Sequence, residues 1–304
     1  MRINVLGAAA GGGFPQWNCN CPNCTGARRG MKHAAPRTQS SIAVSADGVR
    51  WVLFNASPDI LTQIRHAPFL QPARAIRDTA IVGIVLIDAQ IDHTTGLLML
   101  REGNPLDVWC TDAAHDDLTT ANPIFQVLSH YCTVRHHRVV PDGASSFTVP
   151  GVDGLRFTAV AIQSNAPPYS PHRDRPRAGD NIGVSIEDEQ SGKRLFYAPA
   201  LGEIEPCVRP FLERADCLML DGTFWTDDEM IRLGVSHKRA RELGHLPQSG
   251  PNGLIEVLAP IKHARKVLVH INNTNPILDD DSPERAALDR AGIEVAFDGM
   301  EIVL

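Results

Sequence analysis

The sequence has 304 residues, of which 43% are hydrophobic and 21% are charged, and its formal net charge at pH 7 is −6. A chain of this length can bury a large core. Its lysines and arginines are scattered, which excludes the basic patch of a typical nucleic-acid-binding protein. No apolar run approaches the roughly 18 residues of a membrane span. We also expect no signal peptide, because the N-terminal residues lead directly into a predicted strand.

The seven cysteines are an odd number, and three of them fall within six consecutive positions. This spacing is typical of metal binding in a reducing compartment and is unlike a disulfide framework. We therefore expect a cytoplasmic protein. Because no linker, repeat or low-complexity tract is evident, we also expect one domain spanning residues 1–304.

Short apolar runs rich in β-branched residues predict the strands. In chain order, these strands are expected at residues 3–6, 41–45, 51–55, 81–87, 106–110, 155–162, 182–186, 194–198, 217–221, 266–270 and 293–297. Helices are expected at 96–101, 205–214, 236–243 and 253–263, and also after Ser57, Asp112 and Ser282, the predicted N-caps. The segment 123–150 is interpreted as a solvated lobe, and the glycines at 11–13 as a tight turn. The pattern predicts an α/β (α+β) fold in which two β-sheets carry helices on their outer faces.

Metal-capable side chains stand just beyond several of the apolar strands. Asp92 and His93 follow the strand at 81–87, Asp221 ends the strand at 217–221, and His270 ends the strand at 266–270. Each of them alone is equally consistent with a capping or surface role. Together, at strand ends, they predict a site for a divalent metal such as Zn²⁺ or Fe(II), which imidazole and carboxylate suit.

The cysteine-rich loop at about 19–24 predicts a second metal site. Cys19, Cys21 and Cys24 lie in a polar segment with no apolar reason for clustered thiols. Three thiolates at this spacing can converge on one tetrahedral zinc ion, and a fourth protein ligand would make the site structural. His33 is the nearest candidate for that ligand.

The loop at 166–180 is long, rich in proline and arginine, and without periodicity. Loops of this kind often cover a substrate site, although a solvated loop is the commoner outcome. Arg173, Arg175 and Arg177 are the residues that we expect to meet an anionic substrate, because guanidinium groups bind carboxylates well.

The strand-end residues resemble the metallo-β-lactamase superfamily, whose central strand is followed by His-x-His-x-Asp-His. Asp92 and His93 match the half that usually serves the second metal, and His270 matches the final ligand. Asp88 and Gln90 replace the two histidines that serve the first metal. The resemblance implies an αββα sandwich with its metal at one edge, and it places Asp88 and Gln90 beside the remaining ligands.

Two further departures from the superfamily fall later in the chain. No histidine stands near residues 163–165, where another ligand of the first metal belongs, and the sequence Ala-Pro-Ala at 198–200 replaces the bridging aspartate. These losses argue against a dinuclear hydrolase.

More closely, the chain resembles the coenzyme PQQ biosynthesis protein B family nearly from end to end. The matching stretches are residues 14–21, 54–59, 197–199, 220–225 and 270–276. The resemblance implies a role in the biosynthesis of pyrroloquinoline quinone (PQQ). The step implied is an Fe(II)- and O₂-dependent hydroxylation of the tyrosine ring in the cross-linked Glu-Tyr intermediate cut from a precursor peptide.

Residue by residue, the resemblance implies that Asp92, His93 and His270 hold one iron ion, with zinc as the alternative metal. Asp221 would be a fourth ligand or would orient a bound water molecule. His245 matches a histidine of the tRNA-processing branch of the superfamily and would transfer protons.

The cysteine triplet resembles that of a superfamily phosphodiesterase, in which it binds a structural zinc ion. The fourth ligand there lies three residues after the final metal-binding histidine, and Asn273 occupies this position here. The fourth ligand is therefore expected to be His33, Asn273 or a solvent molecule.

Two other functions remain open from the sequence. One is a hydrolase with a single zinc ion. The other is a non-catalytic carrier that binds PQQ or its precursor and helps its transport to the periplasm, together with a membrane partner or other pathway enzymes.

Overall fold

Two seven-stranded β-sheets form the centre of the computed structural model, which describes residues 1–102 and 105–304. The first sheet contains β1 (Arg2–Gly7), β2 (Ser41–Ser45), β3 (Trp51–Phe54), β4 (Ile81–Val85), β5 (Leu106–Cys110), β6 (Val134–Arg138) and β14 (Glu301–Val303). The second sheet contains β7 (Asp142–Phe147), β8 (Leu155–Ala161), β9 (Ile182–Asp188), β10 (Arg194–Ala198), β11 (Cys217–Asp221), β12 (Arg265–Val269) and β13 (Ile293–Val295). Their spatial orders are β14-β1-β2-β3-β4-β5-β6 and β13-β12-β11-β10-β9-β8-β7.

Short helices connect the strands. The α-helices are α1 (Pro22–Arg28), α2 (Ile60–His66), α3 (Ile91–Thr94), α4 (Asp112–Thr119), α5 (Ile124–Leu128), α6 (Arg209–Arg214), α7 (Glu229–Arg232), α8 (Leu254–Leu258) and α9 (Pro283–Ala291). Single 3₁₀ segments lie at Pro68–Leu70, Thr95–Leu100, Arg241–Leu243 and Pro276–Leu278. The longest helix of the described chain has nine residues, far fewer than a lipid bilayer requires.

Apolar side chains fill three layers. The inner faces of both sheets meet in the central layer, where the Phe54 ring lies 5.6 Å from the ring of Tyr197 and 6.2 Å from that of Phe157. The outer face of the first sheet packs against α2, α4 and α5, and that of the second sheet against α6, α8 and α9. The predicted αββα sandwich is confirmed.

Most predicted strands are confirmed to within two residues. The segment 123–150 is largely solvated as predicted, but it belongs to the two sheets and is not a lobe. That segment forms α5, β6 and β7, of which β6 pairs with β5 and β7 with β8. These strands are polar, with the sequence Val-Arg-His-His-Arg in β6, because each lies at the edge of its sheet and is largely solvated. Pairing with a neighbour therefore determines them, and no apolar period marks them. The edge strand β14 was not predicted because three residues are too few to show an alternating pattern.

Some predicted helices are shorter or begin elsewhere. The helix expected at 236–243 is only a 3₁₀ turn at Arg241–Leu243, because this charged segment has no apolar face to bury. Thr111, and not Asp112, caps α4, with its hydroxyl accepting from the amide of Ala114 at 3.2 Å. Helix α2 begins at Ile60, two residues later than Ser57 and a proline at N1 predict. The Ser282 cap of α9 is confirmed.

Parallel strands meet at one edge of the sandwich and place the predicted metal ligands there. β4 is parallel to β3 and β5, and β11 is parallel to β10 and β12. The loops after β11 and β12 therefore leave the second sheet on one side, and the loop after β4 leaves the first sheet beside its parallel neighbours. Isolated bridges from Ala9 to Ile271 and from Asp88 to Asn181 join the sheets at this edge.

Candidate metal centres

The loop after β4 is held close to the neighbouring loop after β3. The amide of Ala56 donates to the carbonyl of His93 at 2.7 Å, and the amide of Gly96 donates to the carbonyl of Ala56 at 2.9 Å. A Cβ atom on Gly96 would lie 2.1 Å from the carbonyl oxygen of Ser57. Only glycine permits this approach, which fixes the backbone that carries His93.

His93 is buried and points its second nitrogen at the edge cavity. Its Nδ1 lies 2.8 Å from Oδ1 of Asp88, a carboxylate that is also fully buried. Its Nε2 is buried without a hydrogen-bond partner among the described residues. Burial lowers the pKa of His93, but the charges of Asp88 and Asp92 outweigh it and raise this pKa to about 9.

Asp92 and His270 complete the cluster around this nitrogen. Oδ2 of Asp92 lies 3.9 Å from Nε2 of His93 and 3.4 Å from Nε2 of His270. The three ligand atoms lie within 4.8 Å of one another. Burial opposes ionisation of Asp92, yet the two imidazoles hold its pKa well below the usual range. An unpartnered imidazole nitrogen beside a second imidazole and an ionised carboxylate fits a divalent cation, which would neutralise the carboxylate and use both lone pairs.

A glycine keeps this cluster open on the side of β1. A Cβ atom on Gly11 would lie 3.0 Å from Oδ2 of Asp92. The glycine turn predicted at 11–13 therefore also leaves room beside the ligand oxygen, which the sequence did not indicate.

A second group of side chains lies behind His270. Nδ1 of His245 lies 2.7 Å from Oδ2 of Asp221, and the Thr223 hydroxyl lies 3.1 Å from Nδ1 of His245 and 2.9 Å from Nδ1 of His270. The charge and hydrogen bond of His245 lower the pKa of Asp221 against the effect of burial, and Asp221 raises the pKa of His245 in return.

Ligand atoms of Asp221, His245 and His270 also lie within 4.8 Å of one another. Asp221, however, is fully buried, and its two oxygens accept from the amides of Leu201 and Thr223, each at 2.9 Å. Asp221 therefore supports His245 and the surrounding backbone, and the direct ligand or water-orienting role that the sequence predicts for it stays a prediction.

A cavity of about 290 Å³ opens over the cluster. Its lining includes the three ligands together with His245, Asp88, Gln90, Thr223, Asn181 and Arg173. The side-chain amides of Gln90 and Asn181 both donate to the carbonyl of Asn165, at 3.4 and 3.1 Å. Amides thus occupy the part of the cavity in which the superfamily pattern expects histidine ligands.

The three arginines of the 166–180 loop have different surroundings. Arg173 lines the cavity and donates to the carbonyl of Ala166, and no carboxylate pairs with it among the described residues. Arg177 points away from the cavity and pairs with Asp116 at 3.2 Å and Asp180 at 3.4 Å, and Arg175 is exposed. The expectation that all three face a substrate is therefore corrected to Arg173 alone.

The thiols of Cys19, Cys21 and Cys24 form a separate cluster within 4.8 Å of one another. The amide nitrogen of the Asn273 side chain lies 3.1, 3.6 and 3.4 Å from the three sulfur atoms in that order. Burial and the neighbouring thiols raise the pKa of Cys21 to about 12, so ionising all three thiols requires a cation.

The structure separates the candidates for a fourth ligand of this cluster. His33 forms an ion pair with Asp281 at 2.7 Å, and its side chain is 80% exposed. It lies outside the thiol cluster, whereas Asn273 is buried against all three sulfur atoms. His33 is therefore ruled out as the fourth ligand, and Asn273 or a solvent molecule stays the prediction.

Comparison with known proteins identifies the family to which this chain is similar. A family model described as the Beta-lactamase superfamily domain matches residues 50–271. Coenzyme PQQ synthesis protein B of Methylobacillus flagellatus is 64% identical over 305 residues, with 100% of both chains covered. The protein of the same name from Nitrosococcus oceani is 62% identical over 309 residues, again with 100% of both chains covered.

Solved structures agree with these relatives. The crystal structure of Zn²⁺-bound PqqB from Methylobacterium extorquens superposes with a TM-score of 0.91 at 37% identity, and the match covers 100% of both chains. A diphosphatase of the PhnP family superposes with a TM-score of 0.68 at 19% identity, over 100% of this chain and 97% of that chain, which shows the shared fold alone. The chain therefore belongs to the coenzyme PQQ synthesis protein B family, a metallo-β-lactamase-fold family that acts in PQQ biosynthesis.

Proposed function

We propose that the chain catalyses an Fe(II)- and O₂-dependent hydroxylation of the tyrosine ring in a cross-linked Glu-Tyr intermediate of PQQ biosynthesis. The observation that carries this proposal is the cluster of Asp92, His93 and His270 at the mouth of a cavity. Two imidazoles and one carboxylate are the ligand set of non-haem iron oxygenases, in which other coordination positions stay open for substrate and O₂. When bound, Fe(II) would supply electrons to O₂, which Zn²⁺ cannot do.

The loss of a first-metal site supports a single cation. Asp88 stands where the superfamily pattern has a metal-binding histidine, but its Oδ1 accepts from Nδ1 of His93 at 2.8 Å and from the amide of Gln90 at 2.9 Å. Gln90 turns its side-chain amide to Asn165. Gln90 and one oxygen of Asp88 thus serve the loop around His93, and neither residue is a histidine, which favours one metal ion.

His245 is the proton-transfer residue in this proposal. Asp221 holds its Nδ1, so its Nε2 is the nitrogen that is free to exchange a proton inside the cavity. Burial lowers the pKa of His245, but the Asp221 carboxylate outweighs it and raises this pKa, which favours an imidazolium that can donate a proton to a developing oxyanion.

Arg173 is the substrate-binding residue. It is a cation that lines the cavity without a carboxylate partner among the described residues, and a Glu-Tyr intermediate carries several carboxylates. The amide groups of Gln90 and Asn181 add neutral hydrogen-bonding capacity on the same side. This arrangement would direct the carboxylates towards Arg173 and the phenol ring towards His93 and His270.

The reaction balances with an external electron donor. Each turnover converts one ring C–H bond to C–OH with one atom of O₂ and releases the other atom as water, and a small-molecule reductant such as ascorbate supplies two electrons and two protons. The test uses protein purified anaerobically, loaded with Fe(II), and supplied with the cross-linked Glu-Tyr compound, O₂ and ascorbate. We expect a product heavier by one oxygen atom per turnover, with label from ¹⁸O₂.

Matched variants identify the residues involved. His93→Ala should abolish the labelled product, Arg173→Ala should raise KM at least about tenfold, and Arg175→Ala, which removes an exposed arginine, should match the wild type. No labelled product from iron-loaded wild type would overturn the proposal.

A single-zinc hydrolase is the second candidate, because the Methylobacterium extorquens relative was solved with Zn²⁺ bound. It predicts O₂-independent hydrolysis of phosphodiester or lactone substrates by the zinc-loaded protein. If neither reaction occurs, and His93→Ala binds PQQ as tightly as the wild type does, the carrier function is favoured instead.

A further inference from the structure

Thr223 contacts the rings of two cavity histidines, the ligand His270 and its neighbour His245, and also the backbone of His270. Its hydroxyl lies 2.9 Å from Nδ1 of His270, 2.9 Å from the carbonyl oxygen of His270 and 3.1 Å from Nδ1 of His245. The side chain is buried, two residues after β11 ends at Asp221. Thr223 was not singled out from the sequence, because an isolated threonine does not indicate a functional site.

Counting protons determines the direction of these hydrogen bonds. A hydroxyl has one proton, and a carbonyl oxygen can only accept. The Thr223 hydroxyl must therefore donate to the carbonyl of His270 and accept from Nδ1 of the same residue. Nδ1 of His270 then carries a proton, and Nε2, which lies 3.4 Å from Oδ2 of Asp92, is the ring nitrogen left to bind a metal ion.

The same contacts hold the backbone of His270 in an uncommon conformation. His270 has φ of 57°, in the left-handed region that residues other than glycine rarely adopt. Thr223 binds this residue at its carbonyl and at its ring, so one side chain restrains both the backbone and the imidazole. The carbonyl of Thr223 is itself held, because it accepts from the amide of Asn272 at 3.2 Å.

The two metal-site imidazoles thus have unlike supports. Nδ1 of His93 faces the carboxylate of Asp88, whereas Nδ1 of His270 faces a neutral hydroxyl. Groups that bind the distal nitrogen of a ligand histidine set its tautomer and orientation, and their removal typically costs about 10–100-fold in metal affinity.

We propose that Thr223 is a positioning residue of the Asp92–His93–His270 site, where its hydroxyl selects the metal-binding tautomer of His270 and holds that residue in place. This inference rests on the metal-binding role of His270 in the proposed function and is independent of the reaction that follows.

The test measures Co²⁺ affinity at this site by chelator competition and visible absorption, with the thiol site already filled with zinc. Thr223→Val keeps the shape and removes the hydroxyl, and it should raise the Kd about 10–100-fold. Thr223→Ser should restore affinity to within about threefold of the wild type. Thr226→Val is the matched control, because the Thr226 hydroxyl contacts Arg232 and no histidine.

The variant His270→Ala distinguishes a failure of the Thr223 proposal from a failure of the proposed ligand set. If it loses Co²⁺ while Thr223→Val binds as the wild type does, the role of Thr223 is overturned and the ligand set stands. If His270→Ala also binds normally, the ligand set fails and Thr223 fails with it. A ¹⁵N spectrum of the wild type with labelled imidazoles needs no variant to fold. A His270 ring protonated at Nδ1 supports the inference, and one protonated at Nε2 overturns it.

Discussion

The thiol cluster and the Asp92–His93–His270 cluster, the two candidate metal sites, differ in how completely protein atoms surround them. The thiols of Cys19, Cys21 and Cys24 are covered by the side chain of Asn273, and backbone amides also donate to these sulfur atoms. The Asp92–His93–His270 cluster instead borders a cavity of about 290 Å³. A site filled by protein stabilises a fold, and a site with open positions can bind a reactant, so the two clusters should respond to mutation in opposite ways.

The clusters nevertheless share one chain segment. His270 belongs to the open cluster and Asn273 to the thiol cluster, three residues later. Asn275 secures this segment, because its side-chain amide donates to the carbonyl of Gly222 and to the side chain of Gln248, each at 2.9 Å. Filling the thiol cluster therefore restrains the backbone from which His270 extends.

The largest effect should come from the thiol cluster. Cys24→Ala should lose about one zinc ion per chain and lower the free energy of unfolding by about 4 kcal/mol or more, since two remaining thiols would bind the metal far more weakly than three. Zinc analysis and thermal melts measure both quantities. Cys207→Ala removes an exposed thiol outside the cluster and should behave as the wild type.

The open cluster should affect activity far more than stability. Asp92→Ala removes the carboxylate between the two imidazoles and should reduce product formation at least about 1,000-fold, equivalent to about 4 kcal/mol. Its melting temperature should stay within a few degrees of the wild type, because Asp92 borders the cavity and lies outside the apolar layers that hold the sheets together. If Asp92→Ala melts lower than Cys24→Ala, the division between a structural and a working site is contradicted.

Gly96 packs so closely against the loop after β3 that a larger residue there should weaken both the fold and the open cluster. The thiol cluster should be unaffected. In Gly96→Ala the new methyl group would meet the carbonyl oxygens of Ser57 and Ala56 at 2.1 and 2.6 Å, so the loop that carries His93 must move. We expect a loss of about 3 kcal/mol in the free energy of unfolding and weaker binding of Co²⁺, with the thiol-site zinc retained. Gly30→Ala is the control for an added methyl group without a clash, because no atom lies within 4 Å of that position. Its φ of 64° should cost about 1 kcal/mol in the free energy of unfolding, and its binding of Co²⁺ should match the wild type.

The elements that were predictable from sequence are those whose own residues determine them. The apolar run at 81–87 identifies β4 without reference to its neighbours, whereas the polar strands β6 and β7 exist through pairing at sheet edges. The candidate ligands were predictable for a related reason. Asp92, His93 and His270 each follow an apolar strand that its own residues identify, and strands that end at one edge of the sandwich bring these side chains together.

Site residues on irregular loops were not predictable in this way. Arg173, Arg175 and Arg177 alternate along a loop with no period, so only the folded loop shows that Arg173 lines the cavity. His33 was nearer in sequence to the thiols, but Asn273 reaches them because the loop after β12 passes the cysteine loop.

The smallest predicted effect concerns Glu229, which is hydrogen-bonded to the segment that carries both His270 and Asn273. Its carboxylate accepts from the Thr274 hydroxyl at 2.5 Å and from the amide of Trp225 at 2.7 Å. Burial raises the pKa of Glu229 to about 7, from 4.5 in an unfolded chain, although these hydrogen bonds oppose the rise. Between pH 4.5 and 7 the folded protein thus keeps a proton that the unfolded chain has released. The free energy of unfolding should therefore fall as the pH rises through this window.

Glu229→Gln cannot ionise and should remove this dependence. The variant should match the wild type near pH 5 and exceed its free energy of unfolding by about 2 kcal/mol near pH 8, as measured by denaturant titration at both pH values with both metal sites loaded. Glu301→Gln makes the same charge change on the exposed strand β14 and should leave the pH dependence intact. A wild type that becomes more stable from pH 5 to pH 7 relative to Glu229→Gln would mean that the hydrogen bonds from Thr274 and Trp225 outweigh burial. The carboxylate would then stabilise the segment that links the two clusters.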